Sequence, residues 1–313
     1  MPQVTVRDHL LSAACKTLRY VPRGRRTLFN LCRRMLGSPE RFVLRGGDFH
    51  FQVDCLDEDV AMRVALDSTY ESVVGALFLE RVGKGDCVID VGANKGYYTL
   101  VACKKVGPTG RVLAYEPEPR NLADIIASKE ANGFDNLFVS AKALADKAGE
   151  ASFVNDGWKE KNSAWGKLVE PGEQRSDVVV VTTCALDDEL ESQNIAKVDM
   201  LKLDIQGGEF AAIDGMRKSL QTHAIRRMLL ELHDMQLSKD QCDYILKRIH
   251  EAGYHGRCYG QDEFTVEESL AAINGRKRLE LGGHGMATTD YDYDKRGAPG
   301  VYRKPLQFLF EVA

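Results

Sequence analysis

No apolar run in this 313-residue chain approaches the roughly 20 residues that a helix needs to cross a bilayer, which excludes a membrane-spanning helix. The N-terminus lacks the uninterrupted apolar core of a secretory leader. Eight cysteines, at positions 15, 32, 55, 87, 103, 184, 242 and 258, form no Cys-x-x-Cys pair, which excludes the common zinc spacings and a dithiol redox motif. A chain of this size needs no disulfide staples, so reduced thiols and a cytoplasmic setting are expected. Internal repeats and low-complexity tracts are absent as well. What is present, 44% hydrophobic and 28% charged residues, is the composition of a globular protein with one sizeable core.

The net charge of -4 is unevenly spread. Residues 1–46 hold ten of the 42 basic residues and two of the 46 acidic ones, so the rest of the chain is strongly acidic. Leu10, Leu11, Ala14, Leu18, Leu28, Leu31 and Leu36 recur among those arginines and predict one or two amphipathic helices broken near Pro22-Arg23-Gly24. Three readings are open for them: a helix packed on the fold, a weak contact with an anionic membrane surface, or an organelle-targeting peptide. Arg41 to Arg45 and Phe49 to Val53 alternate around Gly46-Gly47-Asp48, as a β-hairpin does. The division expected is an N-terminal extension over 1–55 and a catalytic domain over 56–313.

Val88 to Leu100 reads VIDVGANKGYYTL, a short apolar strand, a turn without bulky side chains and the start of a helix. In a doubly wound α/β sheet such a turn binds nucleotide-like ligands at the strand carboxyl ends. The dinucleotide fingerprint is missing: counting from Gly92, Asn94 and Tyr97 stand where the second and third glycines belong. That pattern disfavours a pyrophosphate grip, and with it a NAD-dependent dehydrogenase. With Asp90 two before Gly92 and Gly96 four after it, the turn suits an uncharged adenosyl ligand. The next strand, Arg111 to Tyr115, ends at Glu116-Pro117, and Glu116 follows Gly96 by 20 positions, where a carboxylate accepts ribose hydroxyls. Leu137-Phe138-Val139 is a third strand, and Ala141 to Leu144, with Ala143, lies at the height of an adenine ring.

Met200 to Ile205 and Met228 to His233 are the fourth and fifth strands, with a helix over Phe210 to Leu220 between them and another over Asp240 to Ala252. Strands alternating with helices predict a mainly parallel sheet covered on both faces. Between them, Asn162-Ser163-Ala164-Trp165 lies in a long loop, and Gly253 to Gly300 is poorly patterned, read either as a solvated loop or as a lid over the substrate. Pro305 to Val312 closes the chain as an apolar strand.

VIDVGANKGYYTL, VLAYEPEP, VTTCALDDEL, VDMLKLDIQGGEF and LLELH occur in an order and spacing that resemble the FkbM-type family of S-adenosylmethionine-dependent methyltransferases, from about Tyr70 to His233. The resemblance implies a doubly wound, Rossmann-like sheet of seven strands, the last antiparallel, and S-adenosylmethionine as cofactor. It implies that Asp90, Gly92, Asn94 and Gly96 line the methionine and ribose side, that Glu116, with Pro117, meets the ribose hydroxyls, and that Asp204 lies above the sulfonium. Tyr70 and Glu71 are candidates to close over the methionine moiety. Ser163 and Trp165 are candidates to touch the acceptor. One departure is visible: the strand-four pattern Asp-x-Glu-Gly-x-Glu has Gln206 in place of its first glutamate.

Methyl transfer to an alcohol needs the reactants held in line and a base for the proton. Asp204 and His233, at the carboxyl ends of adjacent strands, are the candidate catalytic residues. Asp204, Glu231 and His233 carry ligand types that suit a divalent cation, but no sequential ligand motif supports one, and no metal is assigned. The expected function is O-methylation of a small molecule or glycan. The alternatives are N-methylation, disfavoured for amides and bases by the absence of an Asn-Pro-Pro-Tyr motif, and a non-catalytic adenosyl-binding scaffold. The basic N-terminus has no aromatic stacking motif beside it, so no nucleic-acid partner is expected.

Overall fold

A computed structural model describes residues 5–21, 23–37, 41–46, 49–55, 57, 60–67, 72–155, 166–169, 178–233, 236–258, 263–264 and 306–312. Tyr70, Glu71, Ser163, Trp165 and nearly all of the segment read as a loop or lid lie outside the described residues. The chain forms two compact units. The first comprises Met1–Ala141, Phe153–Gly166 and Gln174–Val179; the second comprises Lys142–Ser152, Lys167–Glu173 and Val180–Ala313.

The first unit begins with helices α1 (Val6–Leu18) and α2 (Arg25–Met35), followed by the expected hairpin of β1 (Arg41–Gly46) and β2 (Phe49–Asp54). Thr5 and Asp8 close a capping box on α1. The other oxygen of the Asp8 carboxylate accepts from the Val43 N–H at 2.9 Å, which ties the helix start to β1. Helices α3 (Val60–Asp67) and α4 (Ser72–Arg81) lead into β3 (Cys87–Val91), α5 (Tyr97–Val106), β4 (Arg111–Tyr115), α6 (Pro119–Asn132) and β5 (Leu137–Ser140). Strands β3, β4 and β5 pair in parallel. Val88 to Val91 and Val112 to Tyr115 are buried without alternation, the mark of strands covered on both faces. Helix α6 starts where Glu118 accepts from the Arg120 N–H and Pro119 opens the first turn, and it stops at Gly133.

Next come β6 (Ala143–Leu144), β7 (Gly149–Asn155), β8 (Gly166–Leu168), β9 (Val179–Cys184) and α7 (Leu186–Ser192). The second unit continues with β10 (Met200–Leu203), α8 (Glu209–Asp214), α9 (Arg217–Gln221), β11 (Arg227–Leu232) and α10 (Lys239–Glu251), then β12 (Tyr254–Cys258), β13 (Glu263–Phe264) and β14 (Leu306–Val312). Strand β10 pairs in parallel with β11, while β14 runs antiparallel to both β11 and β12. The fold class is therefore the mainly parallel α/β arrangement expected, with an antiparallel last strand and the pair β13 added at an edge.

Three local expectations change. The fourth core strand stops at Leu203 rather than Ile205. The helix expected over Phe210 to Leu220 is two short helices, α8 and α9, separated at Gly215, where the backbone packs so closely that a Cβ would lie 2.0 Å from the Ala145 carbonyl oxygen. Strand β12, within the stretch read as unpatterned, forms because β14 offers it a register from Tyr254↔Val312 to Cys258↔Phe308.

Candidate active site

In the first unit, the turn after β3 is held from beneath by the Tyr115 carbonyl, which accepts from the N–H groups of Gly92 at 3.0 Å and Ala93 at 3.2 Å. Glu116 closes it from the side: Oε2 accepts from the Asn94 N–H at 2.6 Å and Oε1 from the Glu118 N–H at 2.9 Å. Glu116 is buried, and burial pushes its carboxyl up to about 7 although both backbone donors favour its charge. Asp90 is buried on β3 and accepts from the Thr99 hydroxyl at 2.6 Å, which anchors the first turn of α5. Gly96 opens that helix at φ +83°, and a Cβ there would sit 3.0 Å from Ile125 Cγ1, so both backbone and space call for glycine. Asn94 also has positive φ, at +51°, a conformation asparagine tolerates better than most residues. Pro117 is half-buried beside Glu116. Asp90, Gly92, Asn94 and Gly96 on one segment are thus joined by hydrogen bonds to the Tyr115–Pro117 segment that carries Glu116.

Lys95, in the middle of the same turn, was not singled out by its sequence. It is fully buried and donates to Asp124 Oδ2 of α6 at 2.7 Å, with Asp54 of β2 at 3.9 Å. Arg41 of β1 adds its guanidinium 3.5 Å from Asp124 and 3.8 Å from Asp54. Burial still raises the Asp124 carboxyl above its ordinary value, against the pull of Lys95 and Arg41. The N-terminal hairpin and the glycine turn share this buried charge network, whose partners come from four separate segments of the chain.

In the second unit, residues two apart on a strand share a face, and the side chains of Lys202 and Asp204 meet at 2.7 Å. Glu231 and His233 pair the same way at the end of β11, with His233 Nε2 3.6 Å from Glu231 Oε1 and 3.7 Å from Asp204 Oδ1. His233 Nδ1 donates to Glu209 Oε1 at 2.7 Å, and both side chains are buried. The same Glu209 oxygen accepts from the N–H groups of Ile205 at 3.4 Å and Gly207 at 3.3 Å, so the turn between β10 and α8 wraps around it. That turn needs Gly207: its φ is +99°, and a Cβ would lie 2.7 Å from Gln236 Cβ. Gln206, at φ +53°, places its amide 2.8 Å from His233 Nε2. Gln307 of β14 donates to Glu231.

The charges in this cluster set one another. Burial pulls the His233 imidazole down, but Glu209, Asp204 and Glu231 outweigh it and carry the pKa up to about 9. Burial also opposes the Asp204 charge, yet Lys202 and His233 hold that carboxyl below its ordinary value. Asp204, Glu231 and His233 each offer a ligand atom, and these lie within 4.8 Å of one another. Lys202 and the imidazole already answer the carboxylates there, so a divalent cation would have to displace a bound proton from His233.

Ala143 is buried in β6, which pairs with β9 through Ala143↔Thr183. Lys202 and Glu209, which contact Asp204 and His233, have no role assigned to them in the sequence analysis. Lys202 was recoverable from its two-residue spacing before Asp204. Gln307 lies too far along the chain for any local signal.

Residues 90–255 match the Methyltransferase FkbM domain. Hexuronic acid methyltransferase AglP of Haloferax volcanii is 24% identical over 200 residues, covering 63% of this chain and 75% of that protein. Two solved structures are similar in fold. One, methyltransferase FkbM from Methylobacillus flagellatus, has a TM-score of 0.38 at 14% identity, over 80% of this chain and 55% of its own. The other, a SAM-dependent O-methyltransferase from Thermotoga maritima, has a TM-score of 0.38 at 14% identity, over 90% and 82%.

Proposed function

Because this chain belongs to the FkbM family of methyltransferases, we propose that it methylates a hydroxyl oxygen of a sugar or other small molecule. Its cofactor is S-adenosylmethionine, which supplies an electrophilic methyl on a sulfonium that departs as a neutral thioether. The observation that carries the cofactor assignment to residues is Glu116: a buried carboxylate whose pKa is raised by burial, with backbone N–H donors but no cation among the groups that set it. Such a group fits a ligand that brings hydroxyl donors, as a ribose does. Gly92, Asn94 and Gly96 would leave the ligand room along the turn, with Asp90 fixing the helix behind it.

On the acceptor side, Asp204 is the proposed base. It is the most open carboxylate of its cluster, while Glu209 and His233 are buried behind it. A carboxylate held below its ordinary pKa is a weak base toward a free alcohol. Its work is to accept the hydroxyl hydrogen bond, aim the oxygen lone pair, and take the proton as the new C–O bond makes that oxygen acidic. His233, protonated near neutral pH, holds the Asp204 and Glu231 carboxylates in place. The name of AglP, a hexuronic acid methyltransferase, favours testing sugar acids among the acceptors first.

Calorimetry should show S-adenosylmethionine and its demethylated product binding, and NADH failing to bind. Incubation with methyl-labelled cofactor and a panel of hexuronides, neutral glycosides and simple alcohols should then give an acid-stable methyl ether on one class. Label found only on nitrogen would overturn the O-methylation reading, and binding of NADH alone would overturn the methyltransferase reading.

A further inference from the structure

Six of the ten large apolar residues exposed among the described ones lie between Val6 and Met35, and their placement on α1 and α2 is regular. Helix α2 buries a single residue, Phe29, whose ring packs 5.8 Å from that of Phe42 on β1. On the far side from Phe29, Leu28, Leu31 and Met35 recur at i, i+3 and i+7, which is one stripe of a helix. They are 42%, 55% and 78% exposed. Helix α1 repeats the arrangement. It turns Leu11, Cys15 and Leu18 inward, while Val6 and Leu10, four apart, stand exposed on another face. Tyr20 follows just beyond the helix end, also exposed.

The charge on this segment has one sign outward. Residues 5–37 contain eight Lys and Arg and a single acidic residue, Asp8. The Asp8 carboxylate is buried and spent on Thr5 and Val43. Arg7, Lys16, Arg23, Arg26 and Arg34 are exposed.

The geometry points to an interfacial membrane site: α1 and α2 dock this protein on an anionic bilayer, with Leu28, Leu31 and Met35 entering the headgroup–acyl boundary and the flanking arginines meeting lipid phosphates. An apolar stripe bordered by long cationic side chains is what such a surface binds. Among the described residues no helix is long and apolar enough to cross a membrane, so the contact is one of attachment. The charge argues against two other occupants. A second copy would bring the same dense positive charge against this one. A nucleic acid would leave the aliphatic stripe unanswered, since it offers no apolar layer. The inference is independent of the methyltransferase reading.

The test is co-sedimentation of the full chain with phosphatidylcholine vesicles, and with vesicles in which phosphatidylserine replaces part of the phosphatidylcholine. Binding is expected on the anionic vesicles only, and should weaken as salt is raised. Leu31→Glu with Met35→Glu should abolish it, and Arg23→Ala with Arg34→Ala should weaken it by about 30-fold. These positions are exposed, and unchanged affinity for S-adenosylmethionine would show that the variants are folded. Absence of wild-type binding, equal binding to neutral vesicles, or a Leu31→Glu, Met35→Glu protein that binds like wild type would each overturn the proposal. So would a dimer, seen by sedimentation velocity without lipid and lost in the same variant, because it would assign the stripe to a second copy.

Discussion

His233 donates from Nδ1 to Oε1 of Glu209 at 2.7 Å, and both side chains are buried. This pair fixes the imidazole ring and leaves Nε2 directed at the Asp204, Gln206 and Glu231 side. It also makes His233 a cation at neutral pH, since the three carboxylates carry its pKa to about 9 against the effect of burial. The sign of the linkage follows. A histidine whose folded pKa lies above its unfolded value of 6.5 stabilises the fold fully below that value, and the contribution is lost as pH rises through about 9.

Glu209→Gln should therefore be costly. It leaves a protonated imidazole buried with its nearest carboxylate gone, a change expected to cost about 3–5 kcal/mol near neutral pH. The His233 titration should fall from about 9, and the loss of stability with rising pH should shift to lower pH with it. Urea unfolding over a series of pH values, with NMR of the imidazole, checks both; a titration that stays at its wild-type position would remove Glu209 as the source of the shift.

Gln206→Glu should move the same titration the other way. An amide can present either its oxygen or its NH₂ group to the ring, so Gln206 suits His233 in both its charged and neutral forms. A glutamate, as in the family pattern, would offer only acceptors and a further negative charge 2.8 Å away. The His233 pKa is expected to rise further, and the alkaline limit of activity should rise with it. An unchanged pH profile would mean that this substitution does not act through His233.

Cofactor affinity should depend on pH through Glu116. If the ionised carboxylate is the form that accepts the ribose hydroxyls, and its pKa without ligand is about 7, the dissociation constant should fall about tenfold between pH about 6 and about 8. Glu116→Ala should remove this dependence and weaken binding. Calorimetry at several pH values decides it, and a flat profile in the wild type would sink the assignment.

Chelators should leave the rate unchanged. Lys202 and His233 already compensate much of the negative charge of Asp204, Glu209 and Glu231, which leaves a divalent cation little to gain. Loss of activity on EDTA treatment, restored by manganese or magnesium, would show instead that Asp204, Glu231 and His233 act as ligands.

The core strands were legible because burial on both faces leaves mostly apolar runs, broken once by Asp90 in Val88 to Val91 and once by Lys202 in Met200 to Leu203. The glycine turn was legible because Gly92 and Gly96 have conformations that few residues adopt. Strand β12 was not: His255, Gly256 and Arg257 interrupt its apolar pattern, and it is pairing with β14, some 50 residues later, along its whole length that makes it a strand. The break between α8 and α9 has a tertiary cause as well, the approach of Gly215 to Ala145. Of the site itself, residue types and strand ends could be read, whereas the pairing of Glu209 with His233 depends on how the turn at Gly207 folds back.

Lys95 offers the sharpest test of how the N-terminal hairpin supports the glycine turn. Its ammonium is fully buried between Asp124 and Asp54, and the exposed Arg41 reaches its guanidinium to them. Lys95→Met keeps the length and apolar bulk of the side chain but removes the buried cation that Asp124 holds at 2.7 Å, leaving Arg41 at 3.5 Å from that carboxylate, so a loss of about 3–5 kcal/mol is expected. Because Lys95 lies between Asn94 and Gly96, the turn should loosen, and affinity for S-adenosylmethionine should fall more than the rate at saturating cofactor. Adding Asp124→Asn should recover part of the stability by removing one of the stranded charges. Thermal unfolding and cofactor titration of the single and double variants check this, and a single variant as stable as wild type would show that the buried network contributes nothing to the turn.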